Sequence, residues 1–228
     1  KLLNILLTIV TSLGSVMLPR VSNLLSSGNQ KAVNKLHEMS FLVYNLVIFP
    51  MIAGILIVNK DFVNFFLGQD FQDARYAIAI MAFRMFFIGW TNIMGIQILI
   101  PHNKNREFML STTIPAVFSV GLNLLLIPPL GYIGASIVSV ATEGLVWLIQ
   151  LYFTRSYLKE VKILPSMLKI LLAALLMYGA LYSAQAFMHF SSVVNVLIYA
   201  ALGFLVYGGL ILLLRVLDFQ ELKSVLKK

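Results

Sequence analysis

Apolar residues gather into seven stretches, 2–18, 41–58, 76–100, 109–129, 132–154, 163–188 and 193–214, with polar residues largely confined to the short intervals between them. Crossing a hydrocarbon core takes about 20 helical residues, and each stretch is near that length. Strands of a membrane barrel would be about half as long and would alternate in polarity. Backbone groups in lipid must be satisfied within their own segment, so runs of this kind predict helices. The expected fold is an all-α integral membrane protein, a polytopic bundle of about seven transmembrane helices.

Composition strengthens that picture. Hydrophobic residues make up 60% and charged residues 11% of the chain, and the mean hydropathy is +0.90. A water-soluble domain of this composition would lack the polar surface to cover itself. There is no cysteine, which excludes disulfides and thiolate metal sites.

The net charge of +8 does not form a nucleic-acid patch, because the basic residues alternate from connection to connection. Arg20, Lys31 and Lys35 lie in 19–40, Lys104 and Arg106 in 101–108, Arg155, Lys159 and Lys162 in 155–162, and Arg215, Lys223, Lys227 and Lys228 in the tail. Together these hold twelve of the seventeen Lys and Arg. The intervening connections offer Lys60 and Arg75 against Asp61, Asp70 and Asp73, and no charge in 130–131 or 189–192. The positive-inside rule makes the basic connections and the C-terminus cytoplasmic in a cell membrane, so the first helix runs inward. With Lys1 in place of an initiator methionine, the chain reads as cut from something longer. An inward first helix implies an odd number of upstream spans, and seven more would give fourteen.

Among the connections, Val21–Ser40 reads as a solvated connector, with Lys31, Lys35 and Glu38 suiting a short surface helix. Asp61–Ala74 mixes acids with Phe62, Phe65, Phe66 and Phe71, as an interfacial helix or an aromatic anchor would. Pro128-Pro129 followed by Gly131 predicts a minimal turn between two antiparallel helices.

Two ionisable residues fall well inside spans, Arg84 and Glu143, and the cost of charge there makes each a functional candidate. Counted from Tyr76 and Tyr132 at about 1.5 Å per residue, they lie about 12 and 16 Å below the same boundary. A direct ion pair is therefore within reach. Gly131, Ala135, Ser139 and Glu143 recur every four residues, a small-residue row that turns Glu143 toward protein or a cavity. Arg84 shares its side with Ile88, Thr91, Asn92 and Gly95. Two readings stay open: the pair is a helix-packing device, or it lines a hydrophilic path. In a path, Arg84 could hold a diphosphate or another anion as a bidentate donor, and Glu143 could carry a coupling proton.

Asn123, Gln97, Gln150 and Trp147 read as helix–helix hydrogen-bonding or packing residues. His37, His102 and His189 are too scattered for a metal site. No nucleophile–base set, phosphate-cradling loop or metal cluster is present in the sequence, so no enzyme and no cofactor is expected.

The order of local patterns carries a resemblance. Met17-Leu18-Pro19-Arg20-Val21-Ser22 is followed by Phe49-Pro50, then by Phe66-Leu67-Gly68 with Phe71 and Ala74. Next come Gly95-Ile96-Gln97-Ile98-Leu99-Ile100-Pro101 and the basic turn Asn103-Lys104-Asn105-Arg106. Last are Asn123 through Ile127-Pro128-Pro129-Leu130-Gly131-Tyr132-Ile133-Gly134-Ala135 and Thr142-Glu143. The chain resembles the C-terminal half of a Wzx-type polysaccharide or O-antigen flippase, of the multidrug/oligosaccharidyl-lipid/polysaccharide flippase superfamily. The likeness covers about residues 10–155, and Pro128-Pro129 stands where the family usually has one proline.

The resemblance implies the C-terminal lobe plus one helix of a fourteen-span, two-lobe transporter that flips a polyprenyl-diphosphate-linked oligosaccharide to the outer leaflet by alternating access. It implies the bilayer, that lipid-linked substrate and polysaccharide polymerase components as partners. Arg84 would be the anion contact, Thr91 and Asn92 would bond sugar, and Glu143 would couple protons or partner Arg84. A multidrug/cation antiporter or a lipid II flippase of the same superfamily, and a non-transporting subunit of a polysaccharide synthase complex, are the competing readings.

Overall fold

The structure is a computed structural model that describes residue 8, residues 17–187 and residues 190–216. The expected span 2–18 therefore lies outside the described residues apart from Thr8, Met17 and Leu18, as do His189 and the basic residues beyond Val216. All regular structure among the described residues is helical. Five helices are long and apolar enough to cross a membrane: α1 (Gln30–Phe66), α2 (Ala74–Asn92, continued by a π-helical turn, Ile93–Leu99), α3 (Asn105–Leu158), α4 (Leu164–Gln185) and α5 (Ser192–Leu213).

Helix α3 accounts for two of the expected spans. At about 1.5 Å per residue a straight 54-residue helix would run about 80 Å, far beyond a hydrocarbon core of about 30 Å. It does not run straight. Gly131 breaks it with φ 54° and ψ −132°, close to the first central residue of a type II′ turn, a conformation that favours glycine. The Gln150 Nε2 amide donates to Ser111 Oγ at 3.2 Å, about twenty residues from the turn on either side, so 109–129 and 132–154 are antiparallel neighbours as the sequence predicts. Leu124 and Leu125 are more than two-thirds exposed, which suits a lipid-facing wall.

The described residues divide into two compact units, one drawn from 1–48 and 73–163, the other from 49–72 and 164–228. In the first, Tyr44 packs onto α2 where Gly89 leaves room, since a Cβ on Gly89 would fall inside the Tyr44 ring. The Tyr44 hydroxyl donates to the Met85 carbonyl at 3.1 Å. Beside it Trp90 Nε1 donates to Asn45 Oδ1 at 3.0 Å, and its ring meets Phe41 at a tilt of 57° with centroids 4.8 Å apart. Phe86 and Phe87 bridge from Trp90 to Trp147 of α3. In the second unit Ala53 and Ile57 bury against Met177, Leu181 and Tyr199, and Gln185 Nε2 donates to the Ile57 carbonyl at 3.0 Å.

Two connections differ from expectation. Residues 30–40 are not a solvated connector but the first turns of α1, capped by Asn29, whose Oδ1 accepts from Ala32 N at 3.1 Å. Asn34, His37 and Ser40 are buried, Asn34 Nδ2 donating to Glu160 Oε2 at 2.8 Å and Ser40 Oγ to Gln97 Oε1 at 2.7 Å, while Lys31 is exposed and Lys35 pairs with Glu38 at 3.8 Å on the helix surface. Nor is Asp61–Ala74 a separate interfacial helix. Asp61–Phe66 completes α1, a 3-10 turn follows at Gln69–Phe71, and α2 begins at Ala74. Phe65, Phe66 and Phe71 remain exposed, as an aromatic anchor requires.

Candidate functional site

Arg84 of α2 and Glu143 on the second arm of α3 meet inside the first unit. Arg84 Nη2 lies 2.8 Å and Nε 3.3 Å from Glu143 Oε1. Both donors fall on one carboxylate oxygen, so this is a charge-assisted contact short of the two-oxygen fork. The side chains are 29% and 20% exposed, and the pair is neither entombed nor open.

Two cavities flank it. One of about 240 Å³ is lined by Arg84, Ser119, Asn123, Ala135, Ser139 and Glu143, among others. The row Ala135, Ser139, Glu143 thus faces a cavity, and small side chains there keep it open. The second, about 390 Å³, runs between α2 and both arms of α3, with Thr91, Asn92, Thr112, Thr142, Glu143 and Gln150 on its wall. Glu143 and Thr142 belong to both. Of the four candidates from the sequence, Arg84 lines the smaller cavity, Thr91 and Asn92 line the larger, and Glu143 lines both.

Some neighbours play other parts. Gln97 serves helix packing: its side chain accepts from Ser40, and its carbonyl accepts from His37 Nε2 at 3.1 Å. The π turn, in which Ile100 N bonds the Gly95 carbonyl at 3.1 Å, follows directly on Thr91 and Asn92. Asn123, read from the sequence as a packing residue, lines the smaller cavity. Among the described residues no group of three or more His, Asp and Glu could hold a metal ion. On the turn before α3, Lys104 donates to Glu107 Oε1 at 3.0 Å, and that hydrogen bond raises the pKa of the ammonium.

Long apolar helices folded around a paired charge and two cavities define a polytopic membrane protein. The family model described as lipid II flippase MurJ matches residues 3–202, and the chain belongs to that family of flippases, transporters rather than enzymes. Its relatives include an uncharacterized membrane protein of Methanocaldococcus jannaschii, 25% identical over 99% of this chain and 44% of the relative. A Haloferax volcanii protein named as a low-salt glycan biosynthesis flippase is 22% identical over 95% and 46%. An Escherichia coli protein named for O-antigen transport is 28% identical over 67% and 37%. The chain spans less than half the length of these relatives. The lipid-linked flippase superfamily expected from the sequence is the correct one.

Proposed function

We propose that this chain is the C-terminal part of a flippase that moves a polyprenyl-diphosphate-linked oligosaccharide from the inner to the outer leaflet for polysaccharide biosynthesis, by alternating access between two lobes. Such a substrate has an anionic diphosphate and a polar glycan that must be kept from hydrocarbon, whereas its lipid tail can stay in the membrane. The Arg84–Glu143 pair, which lines a small cavity with Ser119, Asn123 and Ser139, is the observation that carries this reading. Arg84 is the diphosphate contact: the guanidinium can exchange one carboxylate oxygen for phosphate oxygens while keeping its charge neutralised. Glu143 is its resting partner and takes a proton when the anion displaces it. Thr91 and Asn92 bond the glycan. The basic connections, with the C-terminus, face the cytoplasm. Polysaccharide polymerase components are the natural recipients of the flipped unit.

The family match gives a second reading its support, that of a lipid II flippase, which differs in the glycan carried. Replacing Arg84 with Ala in the intact protein, at unchanged protein level, tests the role. Surface polysaccharide should fall and its lipid-linked repeat unit should accumulate in the inner leaflet. If a peptidoglycan precursor accumulates instead, the second reading is correct; normal polymer would remove Arg84 from the mechanism.

A further inference from the structure

The two arms of α3 come together again at the end of the hairpin far from its turn. Counted from Gly131, Arg155 lies about 24 residues along one arm and Lys104 about 27 residues back along the other, or about 36–40 Å at about 1.5 Å per residue. A bilayer is about 30 Å thick in its hydrocarbon and about 40–45 Å with its headgroups. With the turn at one boundary, this end of the hairpin falls in the headgroup layer of the other. A third cavity, of about 360 Å³, opens there, lined by Lys104, Glu107, Tyr152, Arg155, Ser156 and Tyr157, among others. It shares no lining residue with the two cavities beside Arg84 and Glu143.

Its charges are reachable and unequal. The Lys104 side chain is 46% exposed and meets Glu107 at 3.0 Å, which occupies one of the three donors of the ammonium. Arg155 is exposed and makes no ion pair among the described residues; its guanidinium sits over the Tyr152 ring, 4.5 Å from the centroid. Two cations face one carboxylate, so the wall is net positive and rich in N–H donors, the setting that suits a phosphate oxyanion. Leu148, Tyr152 and Arg155 follow at spacings of four and three and so share one side of their helix. Leu148 and Tyr152 are more than half exposed. From the cation, that side leads through an amphipathic ring to an aliphatic chain as it enters the hydrocarbon. A phospholipid presents its phosphate, its glycerol esters and its acyl chains in the same order, whereas a free phosphate would use only the cation.

We propose that this cavity is a binding site for the headgroup of an anionic phospholipid, with the phosphate held by Arg155 and Lys104 and the acyl chains lying along Tyr152 and Leu148. A zwitterionic lipid sets its own cation against the same two positive charges and binds less well. Glu107 opposes the ligand, both by repulsion and by occupying Lys104. The site requires only that the chain spans a membrane, so it stands or falls separately from the transport role of Arg84.

The test is calorimetric titration of the purified full-length protein in a nonionic detergent with dihexanoylphosphatidylglycerol and with dihexanoylphosphatidylcholine. The phosphatidylglycerol should bind saturably and about tenfold or more tightly than its zwitterionic counterpart; equal binding overturns the proposal. Arg155→Gln and Lys104→Gln should each weaken it about tenfold, the worth of a hydrogen bond to a charged group. Arg106 and Lys159 are exposed cations outside the wall, and Arg106→Gln or Lys159→Gln should cost less than about threefold at physiological salt. Equal losses in all four variants mean diffuse surface charge and overturn the site. Glu107→Gln should strengthen binding about threefold, and weaker binding there counts against the proposal in the same way. Inorganic phosphate at the lipid's concentration should leave the titration unchanged; if it displaces the lipid, the cavity belongs to a free phosphate and the lipid assignment fails. Should Arg155→Gln fail to fold, Lys104→Gln takes its place, and unchanged affinity for phosphatidylglycerol there is equally fatal.

Discussion

Whether the Arg84–Glu143 pair holds helices together or serves transport is decided by removing the charges one at a time and then both. In Glu143→Gln the guanidinium keeps its charge in a pocket where only 29% of its side chain meets the surface. Losing one partner of a fully buried pair costs about 3–5 kcal/mol, and of a fully exposed pair about 0–1. With exposures of 29% and 20%, and two contacts of 2.8 and 3.3 Å on a single oxygen, about 2–3 kcal/mol is expected. Arg84→Gln should cost a similar amount, whereas the double variant Arg84→Gln/Glu143→Gln leaves no uncompensated charge. It should recover about 1–2 kcal/mol relative to the sum of the singles, the coupling energy of the cycle. Denaturant unfolding of the purified intact protein measures that cycle, and lipid-linked intermediates in cells measure transport. Stability restored with transport still lost makes the pair functional; both restored together makes it a packing device. A coupling energy below about 0.5 kcal/mol would refute the premise that the two charges depend on each other.

Three further outcomes follow from the packing. Gly89→Ala places a methyl inside the Tyr44 ring and should lower stability by about 1–3 kcal/mol through overpacking; thermal unfolding checks it, and adding Tyr44→Val should give back much of the loss. Gly131→Ala forces a side chain onto φ 54° at about 1–3 kcal/mol, so the melting temperature should fall, and an unchanged melt would show that the turn does not hold that conformation. His37→Leu removes the donor to the Gln97 carbonyl, which leaves a buried acceptor unpaired at about 1–3 kcal/mol; His37→Asn should lose less in the same melt, and an equal loss in both variants would point to ring volume instead.

The parts of this molecule that were legible in the sequence share a physical cause, in that each is enforced by neighbours a few residues away. Span length, the Pro128-Pro129–Gly131 turn and the small-residue row at Ala135, Ser139 and Glu143 are local patterns, and depth counting alone placed Arg84 and Glu143 level enough to pair. Residues 30–40 misled because their polarity is satisfied at long range. Asn34 finds Glu160, and His37 and Ser40 find Gln97, partners 57–126 positions away in the chain, so a buried helical start looked like a wet connector. The same limit applies to the cavity. Residue types at 91, 112, 142 and 150 announce only that polar atoms are present; whether they donate or accept is set by where each proton already goes. In lipid, where water cannot supply a missing partner, those commitments are met within the protein: Gln150, read from sequence as one more packing amide, meets Ser111 of the facing arm at 3.2 Å, a partner 39 positions away that only the turn at Gly131 brings within reach.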